Sequence, residues 1–175
     1  FLVSAILFGL LFFFFCIFYR KIPRVEQTKI TWQTYRKILR NRPFLLYTTS
    51  MIFYWMLYIQ LYVVFPVQFL RTTQSDFLMQ LVVPANCFLS YLLMFWLRKN
   101  FVKYHSFQMI TIGMLVMAAS IFALPIIGFF WWAFLCLFFF TFGETISMPS
   151  TDLAVLEQTE PQDYTSYFGV FYGLS

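Results

Sequence analysis

The sequence predicts an all-α membrane protein, a multispan helix bundle with five spans and the start of a sixth. Three observations lead there. Composition is the first: 61% of the residues are hydrophobic, 24% aromatic and only 11% charged, whereas soluble domains carry roughly 25% charged residues. A soluble core built from 175 residues could not hide 26 Phe, 11 Tyr and 5 Trp. The second is run length, because several apolar runs approach or exceed the roughly 20 residues, at ~1.5 Å each, that cross a hydrocarbon core. The third is period: no segment alternates apolar and polar residues as a strand would, which excludes a membrane barrel.

Residues 1–19 are an almost unbroken apolar run and form the first span, stopped by Arg20-Lys21. The chain opens inside that run without a Met or a basic leader, unlike a signal peptide, and residue 175 falls early in another apolar run, so both ends are expected to be cuts. Residues 20–43 are a basic linker with eight Lys or Arg through Arg42 against the single Glu26. Within it Thr31 can cap a short helix from Trp32 to Leu39. Trp32, Tyr35, Ile38 and Leu39 share one face of that helix, with Arg36, Lys37 and Arg40 elsewhere. This is the pattern of an interfacial helix with basic groups on phosphates, a solvated charged linker being the plainer alternative.

Residues 44–175 hold the remaining spans. Pro43 suits the first position of the next helix, where its missing N–H costs nothing. The second span, Phe44 to Leu70, is unusually polar, and Tyr47, Tyr54, Tyr58 and Tyr62 fall on one stripe, spaced by seven, four and four. Arg71 and Asp76 bracket a turn before the third span, Phe77 to Leu97, which Pro84 is expected to bend and which carries Asn86 and Ser90 one turn apart. Phe107 to Leu124 is the fourth span, followed by an uncharged turn at 125–128. After the fifth comes an acidic segment, Glu157 to Tyr164, where Pro161 breaks the chain before a sixth run begins near Tyr167.

The fifth span, from Phe129 to Glu157, is the one around which the chain is organised. Glu144 lies in its middle, and no Lys, Arg, Asp or Glu occurs between Lys103 and Glu144. A carboxylate at that depth costs several kcal/mol unless it is paired, hydrated or protonated, so it faces a bundle interior or a water-filled cavity. Gly143 and Pro149 mark an expected kink. A polar, kinked helix in so apolar a chain suits a transport pathway better than an anchor.

Topology follows from charge. The segments 20–42 and 98–103 hold eleven of the twelve Lys and Arg and are separated by two spans, so they lie on one side, which the positive-inside rule makes cytoplasmic. The turns 71–76 and 125–128 are then outside. Parity puts 158–166 with the basic loops although it carries no Lys or Arg. The net charge of +5 speaks to this topology and to anionic lipid, not to nucleic acid.

These residues together resemble the C-terminal half of a major facilitator superfamily transporter. Asn41-Arg42-Pro43-Phe44 after a long basic linker is similar to the entry of that family's seventh helix, along which Trp55, Tyr58, Gln60 and Pro66 then fall. Gly143-Glu144 with the later Pro149, then Pro161 and Tyr167-Phe168-Gly169, resembles helices ten and eleven of the drug:proton antiporter group. On that alignment the chain covers helices six to ten and the beginning of eleven. Two places depart from the pattern: the 98–103 loop lacks the family's Gly-, Asp- and Arg-rich loop signature, and Tyr164-Thr165-Ser166 stands where many relatives have Arg-Gly.

The resemblance implies a secondary active transporter, with proton-coupled export of small, amphipathic or drug-like molecules by alternating access. It implies a plasma (inner) membrane location, protons as the coupling ion, membrane lipid around the bundle, and an N-terminal half of the same chain as partner. Glu144 is the candidate coupling group, with a structural hydrogen bond as the other reading. Tyr54, Tyr58, Gln60 and Asn86 are candidates for lining a substrate cavity; helix packing competes for the tyrosines and a bond between helices for Asn86. Tyr58 and Gln60 lie about 200° apart on an ideal helix, so both cannot face one cavity, and Tyr54 with Tyr58 is the favoured pair. No catalytic motif, phosphate loop or cofactor signature appears, and no metal site: His105 stands alone at a span boundary, and Cys16, Cys87 and Cys136 read as small packing residues. The alternatives are a structural or partner-binding membrane subunit and a permease without proton coupling.

Overall fold

A computed structural model describes residues 2–19, 32–97 and 104–174. The expected Thr31 cap and the basic loop 98–103 lie outside the described residues. Every regular element among those residues is helical. Helix α1 runs Leu2–Tyr19 and α2 Trp32–Arg40. Asn41 serves two helices at once. Its N–H bonds Ile38 O at 3.0 Å to close α2, and its side-chain Oδ1 accepts from Phe44 N–H at 3.4 Å to cap α3. The cap sets the start of α3, Arg42–Thr73, one residue earlier than expected, so Pro43 is its second residue; the N–H is free there too.

Helix α3 is 32 residues long and continues through Pro66, then stops at Gln74, whose φ of 51° is left-handed and whose N–H bonds Leu70 O at 2.8 Å. The expected third span is not one helix. It is α4, Asp76–Gln80, and α5, Val82–Leu97, divided at Leu81. Pro84 explains the division: it has no N–H to give to Gln80 O, so the ladder loses a rung at that point. Helix α6 is Ser106–Ala123, and α7 is Phe130–Glu157. The uncharged turn between them is tied down by Trp132 Nε1–H, which donates to Ala123 O at 2.9 Å. A single 3-10 turn at Pro161–Asp163 leads into α8, Tyr164–Leu174, which starts three residues before the expected Tyr167.

By length and composition α3, α6 and α7 can cross a membrane, and α5 is a shorter apolar helix of the same character. The outward surface carries large exposed apolar groups such as Phe53, Phe88, Phe95, Trp96 and Phe122. In water such a surface would be an aggregation liability; in a bilayer it is solvated by acyl chains.

Helix α7 is the hub: it packs on α3, α5, α6 and α8 and is the most buried of the three long helices. Its pairing with α6 is the most extensive among the described residues, and sequence chemistry explains how close it is. Gly113 of α6 faces Gly143 and Ser147 of α7. A Cβ on Gly113 would lie 2.5 Å from Gly143 O, and one on Gly143 would lie 2.5 Å from Gly113 O. Those neighbours are backbone and cannot swing aside. Small residues at a crossing are how membrane helices gain packing where no hydrophobic force separates helix from lipid.

At one end of the bundle, α2 meets the acidic segment after α7. Lys37 Nζ donates to Asp163 Oδ2 at 3.0 Å and sits 3.8 Å from Glu160 Oε2. The hydrogen bond and charge of Asp163 hold the Lys37 ammonium above its usual range. The acidic 158–166 segment and the basic linker therefore share an end of the molecule, which is the arrangement that span parity expects.

Candidate functional site

The site is built where α7 faces α5 and α3. Thr141, Glu144 and Thr145 recur at i, i+3 and i+4 on α7, so they lie on one face. Glu144 is 6% exposed and Asn86, on α5, 3%. Asn86 Nδ2–H donates to Glu144 Oε2 at 3.0 Å, and the Thr141 hydroxyl donates to Asn86 Oδ1. The single hydroxyl proton of Thr141 is shared between Asn86 Oδ1 and Leu137 O, the latter at 2.8 Å. The amide thus has both of its ends used, with one end polarised toward the carboxylate. Among the described residues no Lys, Arg or His makes an ion pair with Glu144.

The tyrosine stripe divides into two parts. Tyr47 is a packing residue: its hydroxyl donates to Thr151 O at 2.9 Å, and its ring stacks on Phe171. Tyr54, Tyr58 and Tyr62 form a ladder up α3, with the Tyr58 and Tyr62 hydroxyls 3.1 Å apart. The Tyr54 and Tyr58 hydroxyls lie within electrostatic reach of the Glu144 carboxylate. Tyr54 is 2% exposed, and among the described residues its Oη has no hydrogen-bond partner; Ser90 Oγ, one turn beyond Asn86, is likewise buried without one. Orphaned buried hydroxyls are rare, and each costs roughly 1–3 kcal/mol. The Tyr54 hydroxyl and the buried Glu144 carboxyl together mark a polar locus inside an apolar bundle.

Gln60 does not join this group. Its Nε2–H donates to Met56 O at 3.1 Å, folding the side chain back along its own helix. Gly143 sits at the α6 crossing instead of facing the site, and α7 stays helical through Pro149, where Ser147, Ser150 and Thr151 hydroxyls bond back to Gly143, Ile146 and Met148 carbonyls. A groove of about 830 Å³ between α3 and α6 has neither Glu144 nor its partners in its lining, which is mainly apolar groups such as Leu46, Met51, Ile110 and Leu115.

Thr141 was not among the residues the sequence singled out, and neither was the pairing at the other end of α7. There Ser106 Oγ donates to Glu157 Oε1 at 2.7 Å, and His105 Nδ1 lies 3.9 Å from Glu157 Oε2. A threonine three residues before the buried acid was the only local signal for the first, and fifty intervening residues concealed the second.

A bundle that, among the described residues, is all-helical and buries a carboxyl on its hub helix without a basic partner fits a membrane transport protein. A family model described as Major Facilitator Superfamily matches residues 1–175. The chain belongs to the major facilitator superfamily. It is therefore an integral membrane protein and a transporter of that superfamily. No curated protein and no solved structure matches the chain.

Proposed function

We propose that this transporter is a secondary active carrier that exports small amphipathic or cationic molecules in exchange for protons, with Glu144 as the coupling group. One observation carries the reading: the bundle's hub helix buries Glu144 against, among the described residues, a single amide donor and no cation. Such a carboxyl is stable inside an apolar bundle only if its charge is cancelled, by a proton or by a cationic cargo. A carrier can use that requirement. In one orientation the carboxyl takes a proton or binds cargo, and in the other the site opens to water and releases it.

Tyr54 and Tyr58 supply the cargo wall in this reading. Aromatic faces attract cations and apolar groups, and the unpartnered Tyr54 hydroxyl offers a donor to whatever enters. Asn86 holds Glu144 in place, and the family resemblance implies that the opposing wall is an N-terminal half of the same chain. The linker side is cytoplasmic on the charge pattern, and the family resemblance implies the plasma membrane.

The test is Glu144→Gln in the intact protein. Glutamine keeps an acceptor for Asn86 but cannot exchange a proton. Folding and surface level should hold, proton-driven transport should fall to background, and substrate exchange should survive; Glu144→Asp should keep part of the activity. If Glu144→Gln transports like the parent across pH and responds equally to the proton gradient, Glu144 is a structural hydrogen-bonding residue, the second reading that the Asn86–Thr141 network supports.

A further inference from the structure

A second cavity, of about 560 Å³, lies between α2 and the start of α8 and is lined by Arg36, Lys37, Arg40, Asn41 and Tyr167. Its volume falls within the roughly 300–1,000 Å³ of ligand clefts. The charges in it are not equivalent. Lys37 is already committed to Asp163 at 3.0 Å. Arg36 and Arg40 are exposed and, among the described residues, make no ion pair. They are four apart on one helix, so their Cβ atoms sit about 5–6 Å from each other and two guanidinium forks can close on one anion. The floor is neutral and polar, with Asn41 Nδ2 3.4 Å from Tyr167 Oη.

The orientation of α2 says where such an anion would come from. Ile38 is fully buried against the bundle, while Trp32 and Leu39, seven apart and so on one face, are 77% and 52% exposed. Arg36 lies about 40° from Trp32 around the helix, and Arg40 about 100° from Leu39. A helix that puts one edge into a membrane protein and leaves Trp and Leu facing outward lies in the bilayer interface, and arginines beside that face reach the headgroup level.

The geometry points to a binding site for the phosphodiester of an anionic membrane phospholipid, held by Arg36 and Arg40 against the Asn41–Tyr167 floor. Lys37 with Asp163 forms the neutral wall that separates the lipid from the acidic segment at 158–163. This site is far in character from the Glu144 locus and does not depend on what the carrier moves.

Native mass spectrometry of the intact protein in mixed micelles tests it. The parent should retain phosphatidylglycerol in preference to phosphatidylcholine. Near an anionic surface each basic residue changes affinity about fivefold, so Arg40→Gln should lower phosphatidylglycerol retention about fivefold, and the Arg36→Gln, Arg40→Gln double variant about 25-fold. Arg71→Gln, an exposed arginine near the far end of α3, should leave it unchanged. Both target side chains are exposed and, among the described residues, unpaired, so the variants should elute and unfold as the parent does. Unchanged retention in the double variant overturns the site, and a fall in thermal stability alongside it would show that the arginines pair with a carboxylate of the protein instead. Displacement of the lipid by millimolar inorganic phosphate would overturn the lipid assignment in favour of a free anion.

Discussion

Asn86 is the residue on which the buried locus turns. It lies on α5, 58 positions from Glu144, and is the sole hydrogen-bond donor seen on that carboxyl among the described residues. Removing it does more than delete a bond, because the acid and the Thr141 hydroxyl both lose a partner in a place water does not freely reach. We expect Asn86→Ala to cost about 1–3 kcal/mol, the usual penalty for a buried polar group left unsatisfied. A double-mutant cycle with Glu144→Ala should show a coupling of the same order, measured by unfolding of the purified protein. Strict additivity of the two changes would mean that Asn86 and Glu144 do not interact. The sequence singled out both residues, because a lone acid in an apolar run and an amide in a neighbouring span are visible locally. Their contact was not visible, and neither was Thr141, whose threonine chemistry alone does not distinguish a network member from a routine back-bonded hydroxyl.

At the scale of the element, the α6–α7 pair is the most extensive pairing among the described helices, and two glycines let it close. A methyl group at Gly113 or Gly143 would strike a backbone carbonyl 2.5 Å away, so the helices must separate to admit it. Gly113→Ala and Gly143→Ala should each destabilise by about 1–3 kcal/mol, the cost of overpacking a close-packed site. Gly169→Ala on α8 has open space and should go the other way, stabilising by about 0.5–1 kcal/mol because alanine suits a helix better than glycine. Thermal unfolding in one detergent checks all three, and the contrast in sign is the informative result. The sequence reads Gly143 as part of a kink next to the candidate coupling acid. Packing gives it the further role of admitting α6, a role that depends on which helix lies opposite and so cannot be seen along α7 alone. The division of α4 from α5 is a similar case: Pro84 was legible as a bend, and the lost rung at Gln80 O makes it a break.

For the whole molecule, the arrangement of ends is the testable property. The Lys37–Asp163 contact brings the linker helix and the acidic segment to one end, and the turn at 74–75 lies at the other end of α3 from Asn41. If the basic end is cytoplasmic, single cysteines introduced as Ile30→Cys, Asn100→Cys and Pro161→Cys should resist an impermeant thiol reagent added outside intact cells. Thr73→Cys and Ile127→Cys should react. Labelling at position 100 from outside would reverse the assignment.

By itself the sequence determined what depends on short stretches of chain. Burial preference and helical period are local, so the spans, the amphipathic linker helix and the isolated acid at Glu144 could be read from consecutive residues, most boundaries to within a few positions. The resemblance carried by Asn41-Arg42-Pro43-Phe44 and Gly143-Glu144 anticipated the superfamily for the same reason, being written in short motifs. Only the tertiary structure decided the pairings: Asn86 with Glu144, Ser106 with Glu157, Lys37 with Asp163, and Gly113 against Gly143. Hydropathy specifies which residues leave water but not which helix each will meet. That choice is made by complementary surfaces, the small residues that let two backbones touch and the polar groups that must find one another once lipid has replaced water.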